Sequence, residues 1–343
     1  MMGREIAEQP QALARTLDTL LPLRQSIRDL DADRREVLFV ARGTSDNAAM
    51  YGRYLLEIHA RRGAASAAPS LATHYKVDRD LSDTLVVAIS QSGATDEIVA
   101  TQQWAAALGA RTVAVTNVAN SPLAQNADLT LVTQAGVEQA VPATKSHTAQ
   151  LAAIAVIADA LGPPDRSLES DLRRVPEVVD HLLSDQAGVA QAVETLNASD
   201  MMLVSGRGLT FGTALEVALK LEETCLVPVR GLSYADLRHG PIAVVDAHVA
   251  AILISAEDGP LADGMVDLAS QLRTLGATTV GIGGSPVFAS TCTVAVDGGR
   301  LPEPVAPIAL VVPGQLIVEA LARTRGLNPD APRSLSKVTR TDH

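Results

Sequence analysis

The sequence predicts an α/β chain made of two doubly wound, parallel-sheet domains in tandem, each a flavodoxin-like three-layer αβα unit. Three observations predict it. Short apolar runs alternate with helical patterns along the chain. The second half repeats the first at a near-constant offset. The length of 343 residues suits two domains of about 100–200 residues each.

The first domain opens after a leading helical segment. Residues 10–30 alternate apolar and charged positions at helical spacing. Val37–Val40 is an apolar run that ends in Arg42-Gly43-Thr44-Ser45-Asp46, and a helical pattern follows to about Arg61. Leu85–Ser90 is a second strand, running into Ser90-Gln91-Ser92-Gly93-Ala94-Thr95 and a helix over 98–108. Thr112–Val115 and Leu129–Val132 are a third and a fourth. Gly162-Pro163-Pro164 ends this unit, and a polar helical linker follows. In the second half, Met202–Gly208 resembles Leu38–Gly43, with the Arg-Gly pair displaced by 208 − 43 = 165. Ser90 and Ser255 share that offset, whereas Gly109 and Gly276 differ by 167. The expected division is an N-terminal helix (1–34), a first domain (35–165), a linker (166–196), a second domain (197–325) and a C-terminal tail (326–343).

Composition excludes several functions. Apolar residues make up 47% of the chain, but aromatics only 2%, which leaves little for base stacking. The net charge of −11 and the lack of a basic run argue against a nucleic-acid partner. The stretch Leu151–Leu161 is too short for a membrane span. No leader-like apolar run follows Met1, and two distant cysteines, Cys225 and Cys292, suit a reduced, cytoplasmic setting. The histidines are scattered without metal-ligand spacing, so no metal site is expected.

Several loops suit an anion. Ser90–Thr95 follows a buried strand and opens a helix, where free N–H groups and the helix dipole favour phosphate. A plain hydroxyl cap would read the same way. Gly43, Thr44 and Ser45 sit at the equivalent end of the first strand, and parallel sheets bind ligands beyond the carboxyl ends of their strands. The second domain has Leu209-Thr210 and Ala256-Glu257-Asp258 at these places; two carboxylates repel phosphate, so a decayed counterpart is expected. Val141-Pro142-Ala143-Thr144-Lys145-Ser146 enters another helix, with Lys145 either a ligand group or a surface cation. Glu216, Lys220 and Glu223 lie on one helical face, which also describes an exposed salt-bridged face. His239 precedes Gly240-Pro241 in a turn, where mobile catalytic groups occur. The tail, Asn328 to Lys337, is rich in turn residues, and Leu335 suggests that it docks.

Taken together, Ser90–Thr95, Ala143-Thr144-Lys145, the Glu216–Glu223 helix, His239-Gly240-Pro241 and the Asp330-to-Lys337 tail resemble the sugar-isomerase (SIS) domain family. The likeness covers about residues 35–340. It includes the isomerase half of glucosamine-6-phosphate synthases and, through Arg42–Asp46 and Arg325–Pro329, stand-alone glucosamine-6-phosphate deaminases. The resemblance implies that Gly43, Thr44, Ser45, Ser90, Gln91, Ser92 and Thr95 hold a sugar phosphate, with Val141, Ala143, Lys145 and Glu216 also lining the substrate. It implies that Glu223 moves a proton between C1 and C2, helped by Lys220. His239 would open the sugar ring from the neighbouring subunit of a homodimer, and Lys337 would contact the open-chain sugar as a Schiff-base group. Ala143 stands where the synthase has serine. No Cys occurs before Cys225 and about 35 residues precede the first strand, so no glutaminase domain is expected. The reading is deamination of glucosamine 6-phosphate to fructose 6-phosphate and ammonia, for which neither a metal nor an organic cofactor is expected. Galactosamine 6-phosphate, a fructosamine 6-phosphate adduct and a non-catalytic sugar-phosphate sensor are the alternatives.

Overall fold

The computed structural model describes residues 1–31, 34–199 and 201–337. The chain divides into two compact units. One contains residues 11–138 and 145–173 together with Ser336 and Lys337; the other contains residues 1–10, 139–144 and 174–335.

The first of these units is built on five parallel strands, β1 (Glu36–Val40), β2 (Gly63–Ser66), β3 (Thr84–Ile89), β4 (Arg111–Thr116) and β5 (Leu129–Val132), in the order β2-β1-β3-β4-β5. Every residue of β3 is buried, which is why the central strands read as continuous apolar runs. Strand order reverses between β1 and β3. Loops leaving the carboxyl ends of two such strands part there and open a crevice. The helix Lys145–Leu161 is buried from Lys145 to Ala160. Against it packs the helix Thr44–Leu55, which continues into a π-helical turn over Leu56–Ala60.

The other unit repeats this plan. β6 (Met201–Gly206), β7 (Val229–Ser233), β8 (Val249–Ser255), β9 (Thr278–Gly283) and β10 (Val294–Val296) are parallel and ordered β7-β6-β8-β9-β10. The helix Phe211–Lys220 again ends in a π-helical turn, Leu221–Cys225. Both π turns are closed by a left-handed residue, Arg61 at φ 55° and Leu226 at φ 55°, and 226 − 61 is again 165. The repeat therefore extends to an uncommon backbone feature.

Three strands escape the sequence reading: β2, β7 and β10. Gly63-Ala64-Ala65-Ser66 has no apolar run, and all three lie at sheet edges, where one side lacks a neighbour. The leading helix breaks into Gln9–Leu20, a 3-10 step at Leu21–Leu23 containing Pro22, and Arg24–Asp31. Met2–Ala7 is a further helix. The expectation about apolar length needs correction. Ala306–Thr324 is long and apolar enough to cross a membrane by length and composition, and 78% of that stretch is buried inside the protein. It packs against Phe211–Lys220 as the core helix of its unit. Leu335 is 44% exposed and does not dock the tail. Instead Asp330 accepts the Met2 N–H at 2.6 Å, and its carbonyl accepts the Val141 N–H at 3.0 Å.

The paired helices exchange the position of their small residue. Gly52 in one unit and Val217 in the other are 165 apart. A Cβ on Gly52 would lie 2.6 Å from Phe39 Cζ and 2.9 Å from Ile154 Cγ2. In the other unit the glycine sits on the core helix, where a Cβ on Gly314 would lie 2.5 Å from Val217 Cγ2. Gly→Ala in a helix normally stabilises by about 1 kcal/mol. At Gly52 the packed ring and methyl group reverse the sign. Gly52→Ala is expected to destabilise by about 1–3 kcal/mol, read as a lower denaturant midpoint with an unchanged slope.

Candidate active site

Within the β1–β5 unit the two hydroxyl loops flank the point where strand order reverses. Gly43 has φ 54° and ψ −130° ahead of the helix Thr44–Leu55, and beyond its two chain neighbours no residue comes within 4 Å of where its Cβ would be. This left-handed glycine thus borders open space. Ser90 directly follows β3 and is buried; its Oγ lies 3.3 Å from Thr95 Oγ1 and accepts the Gly93 N–H at 3.2 Å. Ser92 Oγ accepts the Ala94 N–H at 3.2 Å. Gly93 has φ 60°, and a side chain there would run into Ser121. These bonds shape a tight turn before the helix Asp96–Ala107. Arg42 joins the two loops, donating from Nε and Nη2 to both oxygens of Glu97 at 2.9 and 2.8 Å. The carboxylate at the start of that helix is thereby already paired, so it opposes an incoming anion less.

The corresponding corner of the other unit is closed. A Cβ on Gly208 would lie 2.5 Å from Leu261 Cδ1, so the Leu261 side chain fills the space that is open beside Gly43. Thr210 Oγ1 spends its bonds locally, on the carbonyls of Arg207 and Ile254 at 3.0 and 3.2 Å. Asp258 accepts the Glu303 N–H at 2.9 Å. Burial, and then Asp258, push the Glu303 carboxyl above its ordinary value.

Lys145 is 2% exposed at the start of its helix, so it is not the surface cation that its sequence also allowed. Beside it in the same unit is Glu138, whose side chain is fully buried. Glu138 accepts from Ser146 N at 3.1 Å, from Ser146 Oγ at 2.6 Å and from Lys337 Nζ at 2.9 Å. Asn117 stitches the preceding loop together. Its Nδ2 donates to the Gly136 carbonyl at 2.7 Å, and its Oδ1 accepts from Thr133 Oγ1 and Ala135 N at 3.0 and 2.8 Å. Glu97, Asn117 and Glu138 carry no motif of their own. Only the acid two residues after Thr95 offered a hint, as a partner for Arg42.

The residues 139–144 belong to the other unit. There Glu5, itself buried, accepts the N–H groups of Gln139 and Ala140, and the Thr144 carbonyl accepts from Gln315 Nε2 at 3.4 Å. Val141 and Ala143 are half-buried.

In that unit the helical acid–base face is not a solvated one. Lys220 is 1% exposed and Glu216 0%. Lys220 Nζ lies 3.1 Å from Glu216 Oε1 and donates to Glu223 Oε2 at 2.8 Å. Glu223 alone keeps partial access, at 23%, because it sits in the π turn Leu221–Cys225. Burial alone would lower the Lys220 ammonium; the Glu216 and Glu223 carboxylates outweigh it and hold the group above its ordinary value. The stability gained from that raised value is complete below the unfolded-state value and is lost only as pH rises through the folded one. Lys220 therefore stays an ammonium at neutral pH. His239 follows the short helix Tyr234–Arg238, is exposed, and precedes Gly240 at φ 127°.

Comparison with known proteins adds the lineage. The SIS domain model matches residues 32–160. The glutamine–fructose-6-phosphate aminotransferase (isomerizing) of Thermococcus kodakarensis is 34% identical over 344 residues, which covers 98% of this chain and 57% of that protein. The chain thus spans a little over half the length of this curated relative. Among solved structures, a Silicibacter pomeroyi protein described provisionally as a phosphosugar isomerase superposes with a TM-score of 0.88 at 30% identity, over 96% of this chain and 99% of that one. The C-terminal domain of the Francisella tularensis glucosamine-fructose-6-phosphate aminotransferase gives a TM-score of 0.86 at 26% identity, over 96% of this chain and 98% of that one. Glucosamine-6-phosphate deaminase of Thermotoga maritima gives 0.77 at 26% identity, over 99% of this chain and 100% of that one. The chain belongs to the SIS domain family and resembles the isomerase part of the glutamine–fructose-6-phosphate aminotransferases.

Proposed function

We propose that the protein is an amino-sugar-phosphate isomerase and deaminase of the cytoplasm, acting on glucosamine 6-phosphate and water to give fructose 6-phosphate and ammonia. The observation that carries this reading is the buried Glu216–Lys220–Glu223 group with one oxygen-bearing member left accessible. A carboxylate beside a fixed ammonium can accept a carbon-bound proton and return it one carbon away. In this scheme the hydroxyl loops at Thr44–Ser45 and Ser90–Thr95 hold the phosphate. His239 opens the ring. Glu223 takes the C2 proton and delivers it to C1, leaving an imine at C2. Lys337 exchanges with that imine, ammonia leaves, and water releases the ketose. The proposal treats the β6–β10 unit as a second, flavodoxin-like SIS domain, because it shares the strand order and the π turn of the first.

Release rather than transfer of nitrogen is supported by one feature: a deaminase is among the full-length structural relatives.

The direct test incubates the purified protein with glucosamine 6-phosphate and assays ammonia and fructose 6-phosphate, with galactosamine 6-phosphate in parallel. Equal release of both products from glucosamine 6-phosphate is expected. Binding without release would replace the enzyme by a sensor. The exposed His239 is proposed to act on the sugar of a neighbouring copy in a homodimer. Mixing inactive Glu223→Gln and His239→Ala proteins is then expected to restore about 25% of wild-type activity, since half of the dimers are mixed and each has one intact site. No recovery after subunit exchange would put His239 in its own subunit's site or outside the reaction.

A further inference from the structure

The buried Glu138 has a job that its surroundings define. Its carboxylate accepts from the Ser146 N–H, the Ser146 hydroxyl and the Lys337 ammonium. The first comes from the opening turn of the long helix Lys145–Leu161, whose dipole favours a negative charge at that end. A carboxylate held this way cannot swing. It fixes an anion at one point, and Lys337, 199 residues away in sequence, is brought to it. The Lys337 side chain remains 27% exposed while the Glu138 side chain has no exposure. The buried carboxylate thus anchors the end of a side chain that is itself partly open to solvent.

From this geometry we infer that Glu138 is a positioning residue for Lys337 and the acceptor of its proton. The inference rests on the assignment of Lys337 to the open-chain sugar in the proposed reaction. An ammonium has no lone pair, so it must give up a proton before it can bond to carbon. Glu138 is an acceptor in contact with that nitrogen, at 2.9 Å. The proton passes from Lys337 to Glu138, and the amine then forms the N–C2 bond with a ketose phosphate. Glu138 returns its proton to the former carbonyl oxygen. A second proton moves from nitrogen to that oxygen, and water leaves. The products are a protonated imine on Lys337, one water and the regenerated Glu138 carboxylate, so atoms and charge balance. The two Ser146 donors keep the carboxylate in place throughout.

The test uses full-length wild type, Glu138→Gln, Glu138→Asp, Lys337→Ala and the Glu138→Gln/Lys337→Ala double variant. Two readouts are taken: steady-state turnover of glucosamine 6-phosphate, and the mass gain at Lys337 after fructose 6-phosphate and borohydride. Glu138→Gln is expected to lower kcat about 100-fold with KM within about threefold, a typical loss for a proton-transfer group. It should also cut the trapped Lys337 adduct at least tenfold, with Glu138→Asp recovering part of both. The double variant should be no slower than Lys337→Ala, because the two residues act as one unit. Wild-type kcat and adduct yield in Glu138→Gln would overturn the inference, as would losses that multiply in the double variant. Should Glu138→Gln fail to fold, Ser146→Ala replaces it. It removes one of the three donors, and a severalfold drop in adduct yield at unchanged KM is expected. An unchanged yield would count against Glu138. A wild-type protein that neither turns over the sugar nor forms the adduct would remove the functional reading itself, and this inference with it.

Discussion

One ammonium buried between two carboxylates is the constraint around which the β6–β10 unit is organised. Taking such ions out of water costs several kcal/mol each, and only close geometry offsets it. Lys220 meets both conditions, with carboxylate oxygens at 2.8 and 3.1 Å and almost no exposure. Three charges sum to −1, and the least buried of them, Glu223, carries the accessible share. A Glu→Lys pair at i,i+4 on a helix surface contributes only about 0.3–0.5 kcal/mol. The cost of burying this group is far larger than that, so support of the helix does not explain its presence.

The two units act as controls for one another. At the 165-residue offset, Glu216, Lys220 and Glu223 correspond to Tyr51, Leu55 and Ile58. The π turn is present in both units, although only one has the charges. The turn is therefore a property of the repeated frame, and the charged group exploits a bend that exists without it. The anion corner shows the opposite division. Gly43 borders open space, and Arg42 neutralises Glu97. The equivalent corner at Gly208 holds the Leu261 side chain and lies near the Asp258–Glu303 contact.

Much of this was legible in the sequence because it depends on local pattern. The strands β1, β3, β4, β5, β6, β8 and β9 announce themselves as apolar runs bounded by turn residues, and a repeat needs only subtraction to find. The edge strands β2, β7 and β10 did not, since their short segments lack that pattern. The charged helix face was visible as spacing, but spacing cannot say which way a face points. Whether Lys220 is solvated or buried depends on how the helix Phe211–Lys220 packs on β6, β7 and the helix Ala306–Thr324. Lys145 raised the same ambiguity, with the same outcome. Glu138 was not legible at all, because its meaning lies in a contact with a residue 199 positions away.

The claim that most needs testing is that Glu223 carries the proton between C1 and C2. Proton NMR of the reaction in D₂O addresses it directly. As glucosamine 6-phosphate is consumed by wild-type protein, deuterium should enter C1 of the fructose 6-phosphate formed to the extent that the carried proton exchanges with solvent. With Glu223→Gln, loss of the C2 proton and appearance of the ketose should both stop, while glucosamine 6-phosphate still binds with little change in affinity. Continued loss of the C2 proton in that variant would contradict the account and move the base to another residue.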